Sequence, residues 1–375
     1  MPRVIRFPIE KSMRRSWTGI TIVFSIRYIA GLGKGVVGSG RRSFIAIKSA
    51  PRVKTPAGSK RTRFFLLFFA ITVLAAFAAA QELYVPERIA PGDPLVCWLK
   101  SQEALVEGEL VLKSEEGAVL AAAPAFFMPS GAAGYLYGFI LAVPPGAKAG
   151  AARLRLAAQV REARDSINLN CLELDRDISI EPKSFAKEDI ALDSANTAIR
   201  IAPDPAKDAQ TEEFAKIFKT KDPTALFALD AMIKPLSDSW RITAGFADQR
   251  RYLYANGGVE ASLHGGIDLG AASETSVRAC APGLVAFAGT RIVTGNTVVL
   301  EHLPGLFSIY MHLSSISVAK GDLLSAGQLL GKVGSTGLST GPHLHWELRV
   351  GPQSVNPEYW LSRPILDKTW LSGGF

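Results

Sequence analysis

Residues 339–350 read STGPHLHWELRV. From His343 onward this is the pattern of a β-strand. Strict alternation puts His343, His345 and Glu347 on one face and Leu344, Trp346 and Leu348 on the other. The apolar face suits a core, so the polar face must look into water or into a site. Two imidazoles at i and i+2 are an efficient way to offer two nitrogens to one centre, although the same pattern also describes a pair of exposed strand histidines. Position in the chain favours the first reading, because all five histidines fall between residues 264 and 345.

Two further elements lie upstream. Tyr310-Met311-His312-Leu313 again alternates, with Tyr310 and His312 on one strand face, where Tyr310 either lines a groove or is an ordinary structural residue. The stretch SLHGGIDLG, residues 262–270, sets His264 four residues before Asp268. Gly265 and Gly266 argue against a helix there; a glycine turn running into a short strand lets the two side chains converge. Three such elements in one segment point to a metal centre. Two His and one Asp would leave the fourth position of a zinc ion open to water, as catalytic zinc requires, whereas a closed structural site would need a fourth ligand, usually Cys. The remaining imidazoles would handle protons. No HExxH is present, and no GxGxxG, P-loop or GxSxG stands in its strand–helix setting. His302 matches no ligand position and is expected to be structural. Glu347 is expected either to support His345 or to end a solvated strand.

Around these elements, Val277–Ala279, Leu284–Phe287, Thr297–Glu301, Phe307–His312 and His343–Val350 alternate between Gly-rich turns, which predicts a compact antiparallel β domain over 236–365. Residues 82–181 also read as short strands (Leu95–Leu99, Gly108–Lys113, Tyr135–Val143, Arg153–Leu156). The spacing predicts a β-sandwich of immunoglobulin-like type, free of histidine and suited to spacing or binding. The fold class is thus mainly β throughout. Between the two, residues 182–235 are expected to be a linker with short helices. Phe214, Ile217 and Phe218 sit at i, i+3 and i+4 behind Thr211 as N-cap, and Asp222-Pro223 ends the run. This linker is expected to pack on either domain or across the site, where it could offer a fourth ligand and keep the centre latent.

The chain has 375 residues, 48% of them hydrophobic and 20% charged, which excludes wholesale disorder and a long coiled coil. Its formal charge of +8 is misleading: residues 1–63 carry 15 Lys and Arg against Glu10 alone, so the remainder sums to −6. No nucleic-acid partner is therefore expected. The 17 uncharged residues Phe64–Ala80 follow Lys60-Arg61-Thr62-Arg63 and end in Ala78-Ala79-Ala80, which reads as a signal peptide cleaved before Gln81. The competing reading is an uncleaved membrane tether; either way the rest is exported, to periplasm or cell envelope. Residues 1–63 form a basic leader too long for an ordinary signal, so the true start is expected downstream, for instance at Val53. Cys97 and Cys171 fall in the same domain, and one disulfide between them is compatible with export.

HGGID at His264–Asp268, AxxxGxVxxAG at Ala279–Gly289, GNTVVLEH at Gly295–His302, YMHLS at Tyr310–Ser314, KGDLLSAGQLLGKVGSTG at Lys320–Gly337 and GPHLHWEL at Gly341–Leu348 together resemble the lysostaphin/LytM-type zinc metallopeptidases over roughly residues 236–362. The resemblance implies one zinc ion per peptidase domain, held by His264, Asp268 and His345, with His312 and His343 as the catalytic pair beside it. It implies cleavage of peptide bonds in peptidoglycan stems or cross-bridges; segment 82–181 also fits the β domain that often precedes such a peptidase. One departure is visible in Gly245-Phe246-Ala247-Asp248-Gln249-Arg250, where Ala247 replaces an expected Gly, so the turn at the groove edge is expected to differ. The rival reading is a non-catalytic relative that activates a wall amidase; such relatives typically lack zinc ligands that are all present here. Nothing in the sequence indicates an oligomeric state.

Overall fold

The computed structural model describes residues 81–129, 134–161, 169–236 and 240–367. The basic leader and the apolar run Phe64–Ala80 lie outside them. Among the described residues no helix is long and apolar enough to cross a membrane.

Residues 81–180 form two antiparallel-built sheets. One has four strands, in the order Gln81–Tyr84, Pro94–Ser101, Tyr135–Ala142 and Phe126–Met128. The other has five, in the order Arg88–Ile89, Leu169–Ile180, Gly150–Arg161, Ala104–Ser114 and Val119–Pro124, with its first pair parallel. Their facing side chains, among them Leu95, Cys97, Leu99, Tyr137, Phe139, Leu110 and Leu154, make one core. Strand Gly150–Arg161 shows the alternation cleanly: Leu154, Leu156 and Val160 point inward, while Arg153 and Arg155 point to solvent. There they pair with Asp177 and Glu173 on the next strand, both at 2.9 Å. The period-2 geometry also rules out the Cys97–Cys171 disulfide. Cys97 is sealed in the core, Cys171 faces solvent from an outer face, and both are free thiols.

Strands Pro94–Ser101 and Tyr135–Ala142 are buried on both faces. Their second face, with Val96, Trp98, Leu136 and Ile140, joins the core of the C-terminal part. Trp98 Nε1 donates to the Ile365 carbonyl at 3.4 Å, and Asn356 Nδ2 donates to Asp93 Oδ1 at 2.9 Å.

The C-terminal part is built on an antiparallel sheet ordered Arg241–Ala244, Ile267–Gly270, His343–Val350, Leu306–Leu313, Gly295–Leu303, Gly283–Arg291 and Leu323–Leu324, with Gln353–Val355 also pairing His343–Val350. One face, carrying Leu300, Tyr310, Leu344, Trp346 and Leu348, packs into the shared core. On the other face, Val299, Phe307, Ile309 and Met311 meet Phe214 and Phe218 of a helix.

That helix spans Pro205–Lys219 and follows a shorter one at Ser194–Ile201. The expected N-cap at Thr211 is incorrect. Asp204 caps the helix by accepting from Ala206 N at 2.8 Å, Pro205 occupies the first turn, and Thr211 lies mid-helix with its hydroxyl donating to Lys207 O. Asp and Pro at these two positions are the stronger start signal. Ahead of the helices, Lys187–Ala191 pairs in parallel with Gln249–Leu253, which pairs with Val259–Leu263 in a small three-stranded sheet. The segment expected to be a linker is therefore bonded into the C-terminal part.

Candidate metal centre

The helix covers only one end of its sheet face. Where it stops, the same face carries Met311, His345 and Glu347, since Met311 lies opposite His345 and Ile309 opposite Glu347. The small sheet and the loop 335–342 close round this polar patch as an open groove of about 880 Å³. Strand His343–Val350 has the expected alternation, with Leu344, Trp346 and Leu348 fully buried in the core.

His264 leaves the strand Val259–Leu263, and the turn Gly265-Gly266 carries the chain into Ile267–Gly270. Close approach requires glycine at 266 and leaves little room at 265. A Cβ on Gly266 would lie 2.3 Å from the Trp346 carbonyl oxygen and 2.9 Å from His345 Nε2; one on Gly265 would press on Glu347 Oε1 at 3.0 Å. The turn sets His264 beside Asp268, and sheet register sets Asp268 directly opposite His345.

Three atoms consequently meet. His264 Nε2 is 3.1 Å from Asp268 Oδ1, His345 Nδ1 is 2.9 Å from the same oxygen, and the two nitrogens are 3.0 Å apart. Ligands at about 2.0–2.1 Å round a tetrahedral zinc stand about 3.3 Å from one another, so this triangle has nearly the size of one tetrahedral face. The outer nitrogens fix the tautomers. His264 Nδ1 lies 2.7 Å from the Gly245 carbonyl and donates to it, while His345 Nε2 faces Glu347 Oε2 at 3.5 Å. Both inward nitrogens are then lone pairs aimed, with a carboxylate oxygen, at one point. A cation satisfies that convergence, and outward hydrogen bonds of this kind normally orient metal-binding imidazoles. The donor set fits a metal ion. Among the described residues it comprises His264, Asp268 and His345 only, with no contribution from segment 182–235.

Without a cation a proton relieves the crowding. Burial pushes the His345 pKa down, but the hydrogen bonds to Asp268 and Glu347 outweigh it and raise it to about 9. Burial pushes Asp268 up, yet its contacts with His264 and His345 hold it far below the usual carboxylate range. Glu347 also resists burial, held down to about 2 by Arg349 and His345. Arg250 Nη2 bonds the second oxygen of Asp268 at 2.6 Å, leaving Oδ1 to the imidazoles. Its Nε faces Glu188 at 3.3 Å. Glu347, left open by the sequence, thus supports His345, and Arg250 supports Asp268.

His312 reaches the groove by a device that alternation does not show. Asn296 pairs with Leu313 and Val298 with Tyr310, so Met311 and His312 together oppose Thr297 in a β-bulge. His312 sits at φ +62°, a left-handed conformation unusual for a residue with a Cβ. The bulge turns its ring onto the groove face, while Tyr310 stays in the core. The expected shared face of Tyr310 and His312 is corrected by this bulge, and Tyr310 is structural: it is fully buried, and its hydroxyl accepts from Cys280 N at 2.8 Å. His312 Nδ1 donates to the Thr336 carbonyl at 2.8 Å, leaving Nε2 as a lone pair. Burial, then the neighbouring His343 and His345, lower its pKa to about 3. His343 lies beside it, ring centroids 4.8 Å apart, with Nδ1 2.8 Å from the Gly341 carbonyl and Nε2 3.8 Å from Asp268 Oδ1. His302 stays outside the site, between the Pro282 carbonyl and Ser308 Oγ at 2.7 Å each. Ala247 holds φ +59° and donates to the His264 carbonyl at 2.8 Å. The substitution therefore leaves a glycine-like turn in place.

With this geometry in hand, the sequence pattern of Peptidase family M23 matches residues 262–357. Residues 262–357 form a peptidase family M23 domain. Its M23 domain is 48% identical over 95 residues to the DD-carboxypeptidase/endopeptidase Mpg of Neisseria meningitidis, covering 25% of this chain and 22% of that protein. Over 122 residues the chain is 36% identical to the peptidoglycan DD-endopeptidase ShyA of Vibrio cholerae, covering 32% of this chain and 28% of that protein. Over 98 residues it is 40% identical to the murein hydrolase activator EnvC of Escherichia coli, covering 26% and 23%. The chain thus spans about a quarter of the length of these relatives.

Proposed function

We propose that the protein is an exported zinc metalloendopeptidase that hydrolyses peptide bonds in peptidoglycan. The observation that carries this reading is the meeting of His264, Asp268 and His345 at mutual distances of 2.9–3.1 Å, with two further imidazoles at the same groove. Zinc at that triangle would act as a Lewis acid on the scissile carbonyl and on water. The neutral Nε2 of His312 accepts a proton from the attacking water, and its Thr336 hydrogen bond keeps the ring oriented for that step. The imidazolium so formed can donate to the developing oxyanion and then to the leaving amine. His343 faces the same space and orients the carbonyl or the water. Arg250 and Glu347 hold Asp268 and His345 in register.

Export rests on the apolar run Phe64–Ala80 behind its basic flank, as a cleaved signal or a tether. The peptidoglycan substrate is supported by the similarity to Mpg and ShyA. The similarity to EnvC supports the rival, a non-catalytic amidase activator; the complete set of donors and accessory histidines favours the enzyme. The test is digestion of purified peptidoglycan with and without zinc, beside His345→Ala. Zinc-dependent release of cleaved peptides, lost in the variant, is expected. A folded, zinc-loaded protein that releases none would hand the case to the activator.

A further inference from the structure

Among the described residues four arginines line the groove, and three are committed to protein partners. Arg200 bonds Glu260 at 2.8 Å and lies over the Tyr252 ring. Arg250 holds Asp268, and Arg349 holds Glu347 at 2.6 Å while lying over Phe218. The groove carboxylates Glu188, Asp268 and Glu347 are taken up in the same pairs. Arg241 is the exception: among the described residues its guanidinium has no ion pair or hydrogen bond.

Its place in the sheet is specific. Gly270 pairs with Arg241 on one side and with His343 on the other, so Arg241, Gly270 and His343 form one row across three strands. Residues directly opposite in an antiparallel sheet point to the same face, which puts Arg241 on the face of His343. At two strand spacings, their Cα atoms are about 10 Å apart. Gly270 adds no side chain between them; the positions nearest its absent Cβ are the Thr243 methyl at 2.8 Å and the Arg241 stem at 3.8 Å. Asp268 lies two residues along the Gly270 strand. An extended peptide rises about 3.3 Å per residue, so a peptide with its scissile bond at the His–Asp–His triangle brings a neighbouring side chain or terminus to Arg241.

We propose that Arg241 is a specificity-determining residue that receives a free carboxylate of the substrate, one or two residues from the bond that is cut. This rests on the peptidase reading above. Peptidoglycan stem peptides carry such carboxylates, ionised at neutral pH, and a planar guanidinium matches a carboxylate with two parallel hydrogen bonds.

The test compares cross-linked stem peptides purified from peptidoglycan with the same peptides converted to carboxamides. Their Kd values are measured on the metal-free full chain, and their kcat/KM values on the zinc-loaded one. Wild type should prefer the free acid by about 10- to 100-fold in both, the range expected for hydrogen bonds to a charged group. Arg241→Gln should bring the ratio close to one, while Arg241→Lys keeps part of it. An unchanged ratio in Arg241→Gln overturns the proposal, as does wild-type protein that binds both forms equally or neither. Preferential binding lost in Arg241→Gln, without hydrolysis, sustains Arg241 as the receptor of the ligand's carboxylate and overturns the peptidase reading instead.

Discussion

Strands Gly150–Arg161 and His343–Val350 are built alike: each alternates apolar and polar side chains in an antiparallel sheet and buries its apolar face in a core. They differ in what stands over the polar face. Arg153 and Arg155 look into water and find partners one strand away. His345 and Glu347 are themselves buried, because the small sheet, the helix Ser194–Ile201 and the loop 335–342 close round them. Charges in water are screened and weakly coupled. Under a second layer they must be matched one by one, and the matches at Asp268 and Glu347 move pKa values far from their usual ranges. A polar strand face becomes a site when a second layer covers it.

The largest effect that would sharpen this contrast is pH-dependent. The sandwich has no histidine, whereas the C-terminal sheet buries His302, whose pKa burial lowers to about 4. Its folded pKa lies below the unfolded value of about 6.5, so the unfolded chain takes up the proton first as pH falls. The resulting stability is fully present above pH 6.5 and is lost toward pH 4, by about 3 kcal/mol. Urea unfolding at pH 7 and pH 4.5 should show the loss, and His302→Asn should flatten the slope. Equal slopes in the two proteins would break the assignment.

Glycines give the next test. Gly266→Ala places a methyl against the Trp346 carbonyl and should cost about 1–3 kcal/mol. Gly146→Ala, in a sandwich turn with open space round it, should stay within about 0.5 kcal/mol. Thermal melts of both variants decide it. The smallest effect belongs to Arg155→Ala, which removes an exposed ion pair and should cost less than about 1 kcal/mol in the same melts. A larger loss would mean that the open face is more tightly coupled than its exposure implies.

The site was legible in the sequence wherever chemistry is local. HGGID sets a turn whose second glycine, Gly266, leaves no room for a side chain, and HLHWEL fixes two faces by period alone. His312 was legible as a participant but not as a geometry, since a bulge at φ +62° comes from the pairing of two strands rather than from alternation within one. The same bulge separates Tyr310 from His312, which strict alternation would place on one face. Arg250 and Arg241 gave no local signal because each acquires its meaning from a partner, or from the lack of one, across strands. The helix starts at Asp204-Pro205, a stronger capping pair than Thr211, which lies mid-helix, and Cys97 and Cys171 stay apart because membership of one domain says nothing about sharing a face.

The most direct test of the covered face as a metal centre is equilibrium zinc binding by the purified full chain, beside Asp268→Ala and His302→Asn. The account predicts one tightly bound zinc in the wild type and in His302→Asn, and none in Asp268→Ala. Zinc retained in Asp268→Ala, or absent from a folded wild type, would contradict it.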